Sequence, residues 1–431
     1  MPRLLLLLPS STYRGEAFLE AAAKLEIDVT LGLERTVVLL HRPECEWLSL
    51  NFSEPERSAS AVVEYAQGQP IHAVLGVDDV TAVLAAQFAE ALDLPHNSVE
   101  SVSAARNKHH MRKLLHARGV PVPRFAPVSI FDDPAALAGT VPYPCVVKPL
   151  ILSASCGVIR ADNPDEFVTA FRRVAALLQK LGITATGEAG RQLLVETFIP
   201  GREVALEGLL TGGSLRVLAF FDKPDPLDGP FFEETIYVTP SRLPMAIQRD
   251  IAVCAEHAAR ALRLREGPIH GEFRVNEQGV WAIEIAARSI GGRCSRTLHF
   301  AAGISLEELI LRHAFRMELP PLEREAGAAG VMMLPIPRAG VFREMRGEAE
   351  ALAVPGIEEV IITAEPGQTL LPLPEGTRYL GFMIARAAAP ADVEAALRLA
   401  HGRLAFVTDE LNDGQSRDKN EQASRVHSIR F

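Results

Sequence analysis

Residues 284–292 of the chain read EIAARSIGG and bring several chemically capable groups together. Glu284 offers a carboxylate, Arg288 follows four residues later with a guanidinium, and Gly291 and Gly292 form a pair. A buried strand gains no packing from the charged side chains, and a helix interior loses stability at glycine. A guanidinium matches phosphate geometry, and flexible backbone can present N–H groups to an anion. The stretch therefore indicates a site for a phosphate-bearing ligand.

Two segments that alternate polar and apolar residues, 269–275 and 280–286, lead into this stretch. Their spacing predicts a hairpin with the three-residue loop 277–279, which puts Glu272 directly opposite Glu284. Directly opposed residues have Cβ atoms roughly 4.5–5.5 Å apart, so two bare carboxylates there repel each other unless a cation lies between them. Mg²⁺ suits this place because carboxylates hold it while substrate phosphates complete its shell. A hairpin whose glutamates point into water fits the two residues equally well.

A lysine and a small-residue loop supply further phosphate-binding candidates. Lys148 ends the apolar segment 145–148, where a strand would deliver its ammonium rigidly, although a lysine at a strand edge is as good an interpretation. The loop 153–157, SASCG, can close backbone amides over phosphates but contains only one glycine. Its Cys156 is interpreted as incidental, and an oxidation-sensitive thiol is the alternative.

The segment VETFIPGRE, residues 195–203, places Glu196 and Glu203 around a short turn. Free backbone groups in such a turn can bind an adenine edge, and a carboxylate can bind ribose hydroxyls. As a motif on its own, the segment is only moderately specific.

Substrate-binding groups are expected from the loop 222–235 and from three further side chains. His270 borders the predicted metal hairpin, and Arg293 and Arg296 can bind a carboxylate. A hydrogen-bonded structural histidine and two surface arginines that cap a helix are equally good interpretations.

The elements that must position these groups begin with an alternation of strand and helix patterns. Apolar strand-like runs separated by helix-like segments occur at 4–8, 37–40 and 71–77. This alternation predicts parallel βαβ units, so residues 1–105 are expected to form a small doubly wound α/β domain. Ligands bind such sheets at the strand C-termini, here the loop 10–15 and the turn 76–79. Because the chain has no GxGxxG motif, a dinucleotide is disfavoured.

Helix and strand patterns continue to the end of the chain. A single helix is predicted over 103–118 and another over 164–180. Residues 325–408 contain three strand-like runs and an amphipathic helix, which predict an α+β unit packed against a larger neighbour. The residues from 411 onward are polar and expected to be frayed.

Composition limits the classes of protein to consider. The chain is 48% hydrophobic and 23% charged with a net charge of -10, which indicates a globular protein and argues against nucleic acid as a partner. Its five cysteines lack CxxC spacing, as is typical of free thiols in a reducing compartment. The leucine run at 4–8 is too short for a signal peptide or a membrane span. A cytoplasmic protein without a membrane partner is expected, with a homodimer as the default assembly.

The order and spacing of five segments resemble the ATP-grasp superfamily, specifically its carboxylate–amine ligase branch. The segments are CVVKP, the loop SASCG, VETFIPGRE, GPIHGEFRV and EIAARSIGG. They cover about 106–315, residues 1–105 resemble the α/β domain that usually precedes them, and 325–408 resemble the C-terminal domain of L-amino-acid ligases.

The resemblance implies an α/β and α+β multidomain protein. An N-terminal doubly wound domain at 1–105 would be followed by an ATP-grasp domain at 106–318. The ATP-grasp domain would consist of a flap-bearing subdomain at about 122–192 and a metal-bearing subdomain at about 193–318. An α+β domain at 325–408 and a polar tail at 411–431 would complete the chain.

The resemblance also implies that the protein binds ATP. The residues it assigns to the nucleotide are Lys108 and Lys148 for the phosphates, Ser153, Ser155 and Gly157 in the flap over them, Glu196, the Thr197 carbonyl and the Ile199 amide for adenine, and Glu203 for ribose.

For catalysis, the resemblance assigns Glu272 and Glu284 to two Mg²⁺ ions, or Mn²⁺ in their place. Arg288, together with Lys148, would neutralise the transferred phosphoryl group, and Gly291 would donate a backbone N–H to it. Many relatives have an asparagine ligand at the position of Ala286. The alanine is interpreted as a marker of the amino-acid-ligase branch, and a weakened second metal site is the alternative.

The implied activity joins a small carboxylate, such as an amino acid, to an amine. ATP would phosphorylate the carboxylate, and the amine would displace phosphate from the acyl phosphate. Two alternatives remain at this stage. A bicarbonate-using carboxylase would keep the fold and change the acceptor, and a non-catalytic nucleotide-binding protein would have lost its chemistry.

Overall fold

The computed structural model describes residues 1–9, 12–34, 46–301 and 303–411. The strand predicted at 37–40 and the polar tail after Leu411 lie outside these described residues. Within them, no helix has both the length and the apolar character that crossing a membrane requires.

The N-terminal part is built on a four-stranded parallel sheet in the order β3-β2-β1-β4. Residues Leu4 to Leu8 form most of the central strand and are buried, which explains an uninterrupted apolar run without alternation. The elements are β1 Arg3–Leu8, α1 Gly15–Lys24, β2 Asp28–Glu34, β3 Glu46–Leu50, α2 Pro55–Gly68, β4 Ala73–Gly76 and α3 Asp79–Ala91. The predicted doubly wound α/β arrangement is confirmed.

Two helices connect this part to the rest, α4 Val99–Arg106 and α5 Lys108–Ala117. The prediction of one helix over 103–118 was wrong, because Asn107 leaves the helical conformation with φ −87° and ψ 107°. Its side-chain oxygen accepts hydrogen bonds from the next two free amides and so caps α5. The break fixes the position of Lys108, whose backbone N–H donates to the Leu150 carbonyl at 3.0 Å.

A second four-stranded sheet, antiparallel and in the order β5-β8-β6-β7, carries the small-residue loop. Its elements are β5 Phe125–Ser129, α6 Pro134–Ala138, β6 Cys145–Pro149, β7 Ile159–Ala161, α7 Pro164–Lys180 and β8 Gln192–Thr197. One face of the amphipathic α7 packs on the sheet through residues such as Phe167 and Phe171. The loop 153–157 joins β6 to β7 and reaches into the space in front of the sheet.

The largest sheet has eight strands in the order β13-β12-β9-β10-β11-β16-β20-β18. Its first elements are β9 Arg202–Thr211, β10 Ser214–Asp222, β11 Ile236–Thr239, α8 Met245–Ala261, β12 Gly267–Asn276 and β13 Gly279–Ala286. The short strands β14 His299–Phe300 and β15 Ile304–Ser305 and the helix α9 Leu306–Ala314 follow.

The C-terminal part adds three strands to this same sheet, since β11 pairs antiparallel with β16 from Ile236↔Met332 to Thr239↔Ala329. Its elements are β16 Ala328–Leu334, β17 Gly340–Arg346, α10 Glu348–Leu352, β18 Ile357–Ile362, β19 Thr369–Leu370, β20 Gly381–Ala387, α11 Pro390–His401 and β21 Ala405–Asp409. The three predicted strands and the helix are confirmed. These strands continue the eight-stranded sheet that begins in the preceding part of the chain. The domain boundaries drawn from the sequence stay predictions.

A loop of the C-terminal part also touches the flap. The Gly157 N–H donates to the Pro374 carbonyl at 2.8 Å. Next to it, Arg173 on α7 forms a two-pronged ion pair with Glu375, with Nε at 2.6 Å and Nη2 at 2.8 Å. Tyr379, a few residues further on, lines the large cavity described below. The flap and the C-terminal part are therefore in direct contact.

Candidate active site

The hairpin β12–β13 places Glu272 directly opposite Glu284, as predicted. The predicted three-residue loop was wrong, because Asn276 pairs with Gly279 and leaves a two-residue loop. The Asn276 side chain stabilises the tight turn by accepting a hydrogen bond of 2.9 Å from an amide within it. A β-bulge at Ile283 then shifts the register by one residue and brings the glutamates back into opposition.

These glutamates face a cavity of 320 Å³ that also receives residues of the N-terminal sheet, the flap and the C-terminal part. Of the residues predicted for the site, the following line it: Lys108, Lys148, Ser153, Ser155, Glu196, Thr197, Ile199, Glu203, His270, Glu272, Glu284, Arg288 and Gly291. Gly157, Arg293 and Arg296 do not line it. Gly157 is the last residue of the flap, and its amide donates to the Pro374 carbonyl.

Glu196 is the centre of a buried cluster with two cations. Its carboxylate accepts from Arg112 Nε at 2.6 Å and from Lys148 Nζ at 2.5 Å, and all three side chains are almost inaccessible to solvent. Arg112 also donates to the Ile283 carbonyl at the bulge, at 2.6 Å. Burial lowers the pKa of Lys148, and Glu196 opposes that effect. The cluster therefore ties the Lys148 strand to the metal hairpin and holds the lysine at the cavity wall.

A second cluster surrounds Lys223, with three carboxylates whose oxygens all lie within 4.8 Å of one another. Lys223 Nζ lies 2.8 Å from Glu203, 2.5 Å from Glu234 and 2.8 Å from Glu272. Arg274 Nε contacts the other oxygen of Glu203 at 2.9 Å. Burial alone would lower the pKa of Lys223, but the carboxylates raise it well above its ordinary value. Burial raises the pKa of Glu234 to about 7, and Lys223 opposes the rise.

Glu284 faces a different cation from its partner across the hairpin. Lys108 Nζ lies 3.6 Å from the Glu284 carboxylate and donates to the Leu152 carbonyl, next to the flap, at 2.7 Å. Lys108 is only 6% exposed, so its ammonium is directed into the cavity wall and not toward bulk solvent. The two hairpin carboxylates are thus each matched to a lysine, Glu272 to Lys223 and Glu284 to Lys108, and of these Lys108 is one of the two lysines predicted for the phosphates.

Arg288 is held in place by a carboxylate of the N-terminal part. Its Nε and Nη2 form a bidentate ion pair with Asp79 at 2.8 and 3.1 Å, and Nη1 donates to the Ser289 carbonyl at 3.1 Å. Burial would raise the pKa of Asp79, but Arg288 lowers it below its ordinary value. One N–H on each terminal nitrogen of the guanidinium is left over. Asp79 therefore orients Arg288 while leaving it donors for an anion.

The backbone after Arg288 offers one amide to the cavity. The Ile290 N–H donates to Glu207 at 3.0 Å, and the Gly292 N–H donates to the Tyr13 hydroxyl at 2.8 Å. Between them, the Gly291 N–H has no acceptor within the described ranges. A Cβ at Gly291 would meet only the Tyr13 hydroxyl, at 3.8 Å, so the cavity side of this amide is open.

One end of the cavity is apolar. Val146, Val158, Phe198, Leu227 and Phe232 pack together there and all line the cavity. The Phe198 and Phe232 rings lie 6.4 Å apart. An apolar slot with aromatic walls suits a flat heterocyclic base, and it lies on the VETFIPGRE side of the two lysines.

His270 lies on the same hairpin as the glutamates. Its Nε2 is 3.7 Å from Glu272, and its Nδ1 is 3.7 Å from Glu207. Burial lowers the pKa of His270, which favours the neutral imidazole. Across the hairpin, His270 pairs with the buried Ala286. Ala286 therefore offers no metal ligand at this position.

Arg293 and Arg296 lie on the far side of the loop that carries Gly291. They line a smaller neighbouring cavity together with Tyr13 and Arg14. Arg296 forms an ion pair with Glu359 at 2.7 Å, which gives it a structural partner in the C-terminal part. The role of the two arginines in binding substrate stays a prediction. Neither of them lines the reaction cavity.

The described cysteines are buried and their pKa values are raised by burial. The pKa of Cys156 in the flap rises to about 11, that of Cys254 to about 11 and that of Cys145 to about 12. Cys294 is likewise buried, with its pKa raised well above the ordinary value. Reactive thiols need accessible thiolate, so incidental cysteine is the better interpretation of Cys156.

We therefore expect a Cys45→Ser variant to have almost no thiol that reacts with Ellman's reagent at pH 8 in the native state. After denaturation, four thiols should react, one from each of the remaining cysteines. Fast modification of a native thiol that is lost in a Cys45→Ser/Cys156→Ser variant would show that the flap thiol is accessible.

Several residues that shape the site were not predicted individually. Lys223 and Glu234 lie in the loop 222–235, which was expected only as a substrate loop, and Asp79 and Tyr13 lie at the predicted ligand edge of the N-terminal sheet. The signal available in the sequence was their position at strand ends, which gives a neighbourhood but not a partner.

Three family models match separate parts of the chain. Residues 19–96 match the ATP-grasp N-terminal domain, 141–297 the ATP-grasp domain, and 332–409 the L-amino acid ligase C-terminal domain 2. The three matched segments are in the order in which the three parts of the fold occur.

Individual proteins similar to this chain include several ligases. The alanine–anticapsin ligase of Bacillus subtilis (strain 168) is 23% identical over 287 residues, 63% of this chain and 60% of that protein. A D-alanine–D-alanine ligase of Cupriavidus metallidurans is 26% identical over 184 residues, 41% of this chain and 53% of that protein. The chain thus spans less than two thirds of the length of either ligase. The solved structure of an L-amino acid ligase from Bacillus licheniformis superposes with a TM-score of 0.83 at 26% identity, over 96% of this chain and 99% of that one.

Proposed function

We propose that this chain, which belongs to the ATP-grasp superfamily and resembles its amino-acid ligases, joins a small carboxylate to an amine in a reaction driven by ATP. The observation that carries the proposal is one cavity that combines an apolar slot, two buried lysines, opposed carboxylates and an oriented arginine. Phosphoryl transfer depends mainly on positioning and on neutralising charge, and these groups supply both.

The nucleotide fits the half of the cavity between the flap and the VETFIPGRE segment. Its base would occupy the apolar slot, and its phosphates would extend toward Lys148 and Lys108. Glu203 is close enough to the slot to bind ribose, although it is already engaged by Lys223 and Arg274. Glu196 is fully used by Arg112 and Lys148, so its main role in this proposal is to hold Lys148.

Magnesium fits the donor set of the hairpin. Glu272 and Glu284 are opposed carboxylates with oxygen ligands of the kind that Mg²⁺ takes, and each now faces a lysine ammonium. The cluster holds three carboxylates against the two cations Lys223 and Arg274, so it can accept more positive charge. These glutamates would hold Mg²⁺, which would neutralise phosphate charge when bound. Mn²⁺ has the same ligand preference.

The reaction begins when a carboxylate oxygen of the substrate attacks the γ-phosphorus of ATP and ADP leaves. The remaining donors of Arg288 and the free Gly291 N–H would bind the oxygens of the transferred phosphoryl group. In the second step the amine attacks the acyl carbon, loses a proton and displaces phosphate. The flap and Tyr379 would keep water away from the acyl phosphate during the interval between the two steps.

The carboxylate substrate is proposed to bind in the half of the cavity opposite the apolar slot. Met333 and Tyr379 of the C-terminal part close this half, and Glu234 from the loop 222–235 lies at its wall. The match to the L-amino acid ligase C-terminal domain supports an amino acid here over bicarbonate. A non-catalytic protein gains no support from the site, since Lys148, Glu284 and Arg288 are all present and oriented.

The test is a screen of ADP release with Mg²⁺ and pairs of amino acids, dipeptides and small carboxylic acids. We expect ADP and phosphate in equal amounts, together with an amide product, for at least one pair. AMP and pyrophosphate as products would exclude the acyl-phosphate route. ADP release that needs bicarbonate and no amino acid would favour a carboxylase, and ATP binding without turnover under every condition would favour a non-catalytic role.

A further inference from the structure

A second cavity of 200 Å³ lies directly behind the loop that carries Gly291. It shares Tyr13, Arg14 and Ile290 with the reaction cavity, so the same residues form a common wall. The volume is below the roughly 300–1,000 Å³ of clefts that hold drug-sized ligands and suits a smaller molecule. None of the roles proposed above uses the interior of this second cavity.

Two oppositely charged side chains in this cavity form no ion pair within the described part of the chain. Glu307 is only 6% exposed, and its carboxylate interacts with Arg14 and Arg296 electrostatically without a direct hydrogen bond. The Arg293 guanidinium has no ion pair, and its Nε is buried without an acceptor. The Arg293 side chain is half-buried, so its remaining N–H groups and the Glu307 carboxylate are free to bind a ligand in the cavity or water.

Arg293 is nevertheless held in a defined position. Its backbone is in the left-handed region, with φ 56° and ψ 17°. The guanidinium carbon lies 5.5 Å from the centre of the Tyr13 ring and 5.8 Å from that of Phe382. Contacts with aromatic faces orient a guanidinium without using its N–H donors. Arg293 is therefore preorganised for a planar anion such as a carboxylate.

The other charged groups around the cavity are matched to acceptors or to each other. Arg14 uses Nη2 to hold the loop, donating to the Ser289 carbonyl at 2.8 Å and to the Ile290 carbonyl at 2.9 Å. Arg296 is paired with Glu359 and lies 4.0 Å from Glu20. The charged residues that line the cavity are three arginines and three glutamates, so their formal charges cancel. Such a lining favours a zwitterion over a ligand of net charge.

We propose that this second cavity binds a free zwitterionic α-amino acid, with Arg293 contacting its carboxylate and Glu307 its ammonium. Occupancy of the site would reinforce the wall formed by Tyr13 and Arg14, which hold the amide loop of the reaction cavity. The bound amino acid is either the amine substrate, held next to the reaction cavity, or an effector. The binding itself does not depend on the proposed reaction.

Equilibrium dialysis of radiolabelled L-alanine and of L-methionine, each against the full chain without ATP, tests the proposal. Hydrogen bonds to charged groups contribute about 1.5–3 kcal/mol, so Arg293→Gln and Glu307→Gln should each weaken binding by about tenfold or more. Glu284→Gln, in the reaction cavity, should leave this binding within about twofold of wild type. Methylamine or acetate alone should not displace the amino acid, since each supplies half of the recognised pair.

Folding is controlled separately, because neither glutamine variant breaks an ion pair or a side-chain hydrogen bond between described residues, and only the contacts of Arg293 with the Tyr13 and Phe382 rings change. Both variants should therefore keep a thermal midpoint close to that of the wild-type protein. Binding of neither amino acid, or binding unchanged in both variants, would overturn the proposal whether or not a ligation reaction is found. If the site holds the amine substrate, Arg293→Gln should raise the KM for the amine with kcat unchanged; if it holds an effector, the stimulation by added amino acid should disappear.

Discussion

Glutamine in place of Glu284 is expected to lower the rate of ADP formation by about 10²–10³-fold. The substitution keeps the size and shape of the side chain and removes the negative charge that a hairpin Mg²⁺ site requires. The fold should be retained, because Glu284 is partly exposed at 27% and its contact with Lys108 is long, at 3.6 Å. Steady-state ADP release across a range of Mg²⁺ concentrations, with thermal unfolding in parallel, measures both effects.

The matched control for this variant is Glu277→Gln in the loop of the same hairpin. Glu277 is exposed and does not line the reaction cavity, so its activity should stay within about twofold of wild type. A residual activity in Glu284→Gln that is restored by raised Mg²⁺ would support a weakened metal site. Near-normal activity at low Mg²⁺ would remove the metal assignment of this glutamate.

Glutamine in place of Glu196 should cause the largest loss of stability. Arg112 is 0% exposed and Lys148 is 6% exposed at the side chain, and both depend on this carboxylate for their countercharge. Removing one partner of a buried ion pair costs about 3–5 kcal/mol because the remaining charge stays desolvated. A lower thermal midpoint and a lower midpoint in urea are expected. Glu188→Gln, an exposed glutamate just before the same strand, is the control and should unfold like the wild-type protein.

A second substitution separates lost charge from lost packing. The variant Arg112→Met/Glu196→Gln should be more stable than Glu196→Gln alone, since it no longer contains the uncompensated guanidinium. Strictly additive losses in the double variant would contradict the role of Glu196 as a countercharge. In that event Glu196 would contribute to stability independently of Arg112, through its contact with Lys148.

Most of the residues predicted for the site line the reaction cavity, and the reasons differ from case to case. Lys148 was a candidate because it ends an apolar strand, and the resemblance to ATP-grasp ligases favoured a phosphate contact over an edge lysine. The opposition of Glu272 and Glu284 was predicted from the wrong loop length, and a bulge at Ile283 corrected it. Strand alternation fixes which face a residue occupies, but a bulge depends on contacts made elsewhere in the fold, here with Arg112.

The residues that the sequence did not identify act through partners far away in the chain. Asp79 orients Arg288 from a different sheet, and Lys223 collects glutamates from three separate strands or loops. No local sequence pattern predicts these contacts, because they depend on how the domains pack. The break at Asn107 was also missed, since asparagine inside a helical pattern differs little from asparagine that starts a new helix.

The eight-stranded sheet limits how specificity can be transplanted between ligases of this kind. Residues 328–409 contribute Met333 and Tyr379 to the wall of the reaction cavity, which makes them an attractive segment for exchange. Their first strand, β16, is however hydrogen-bonded to β11, which belongs to the preceding segment. Only Thr235 separates Glu234 from the start of β11. A chimera joined between β11 and β16 would replace only one of these two paired strands. Exchanging the loop 222–235 and β11 together with the C-terminal segment would keep both sides from the same parent.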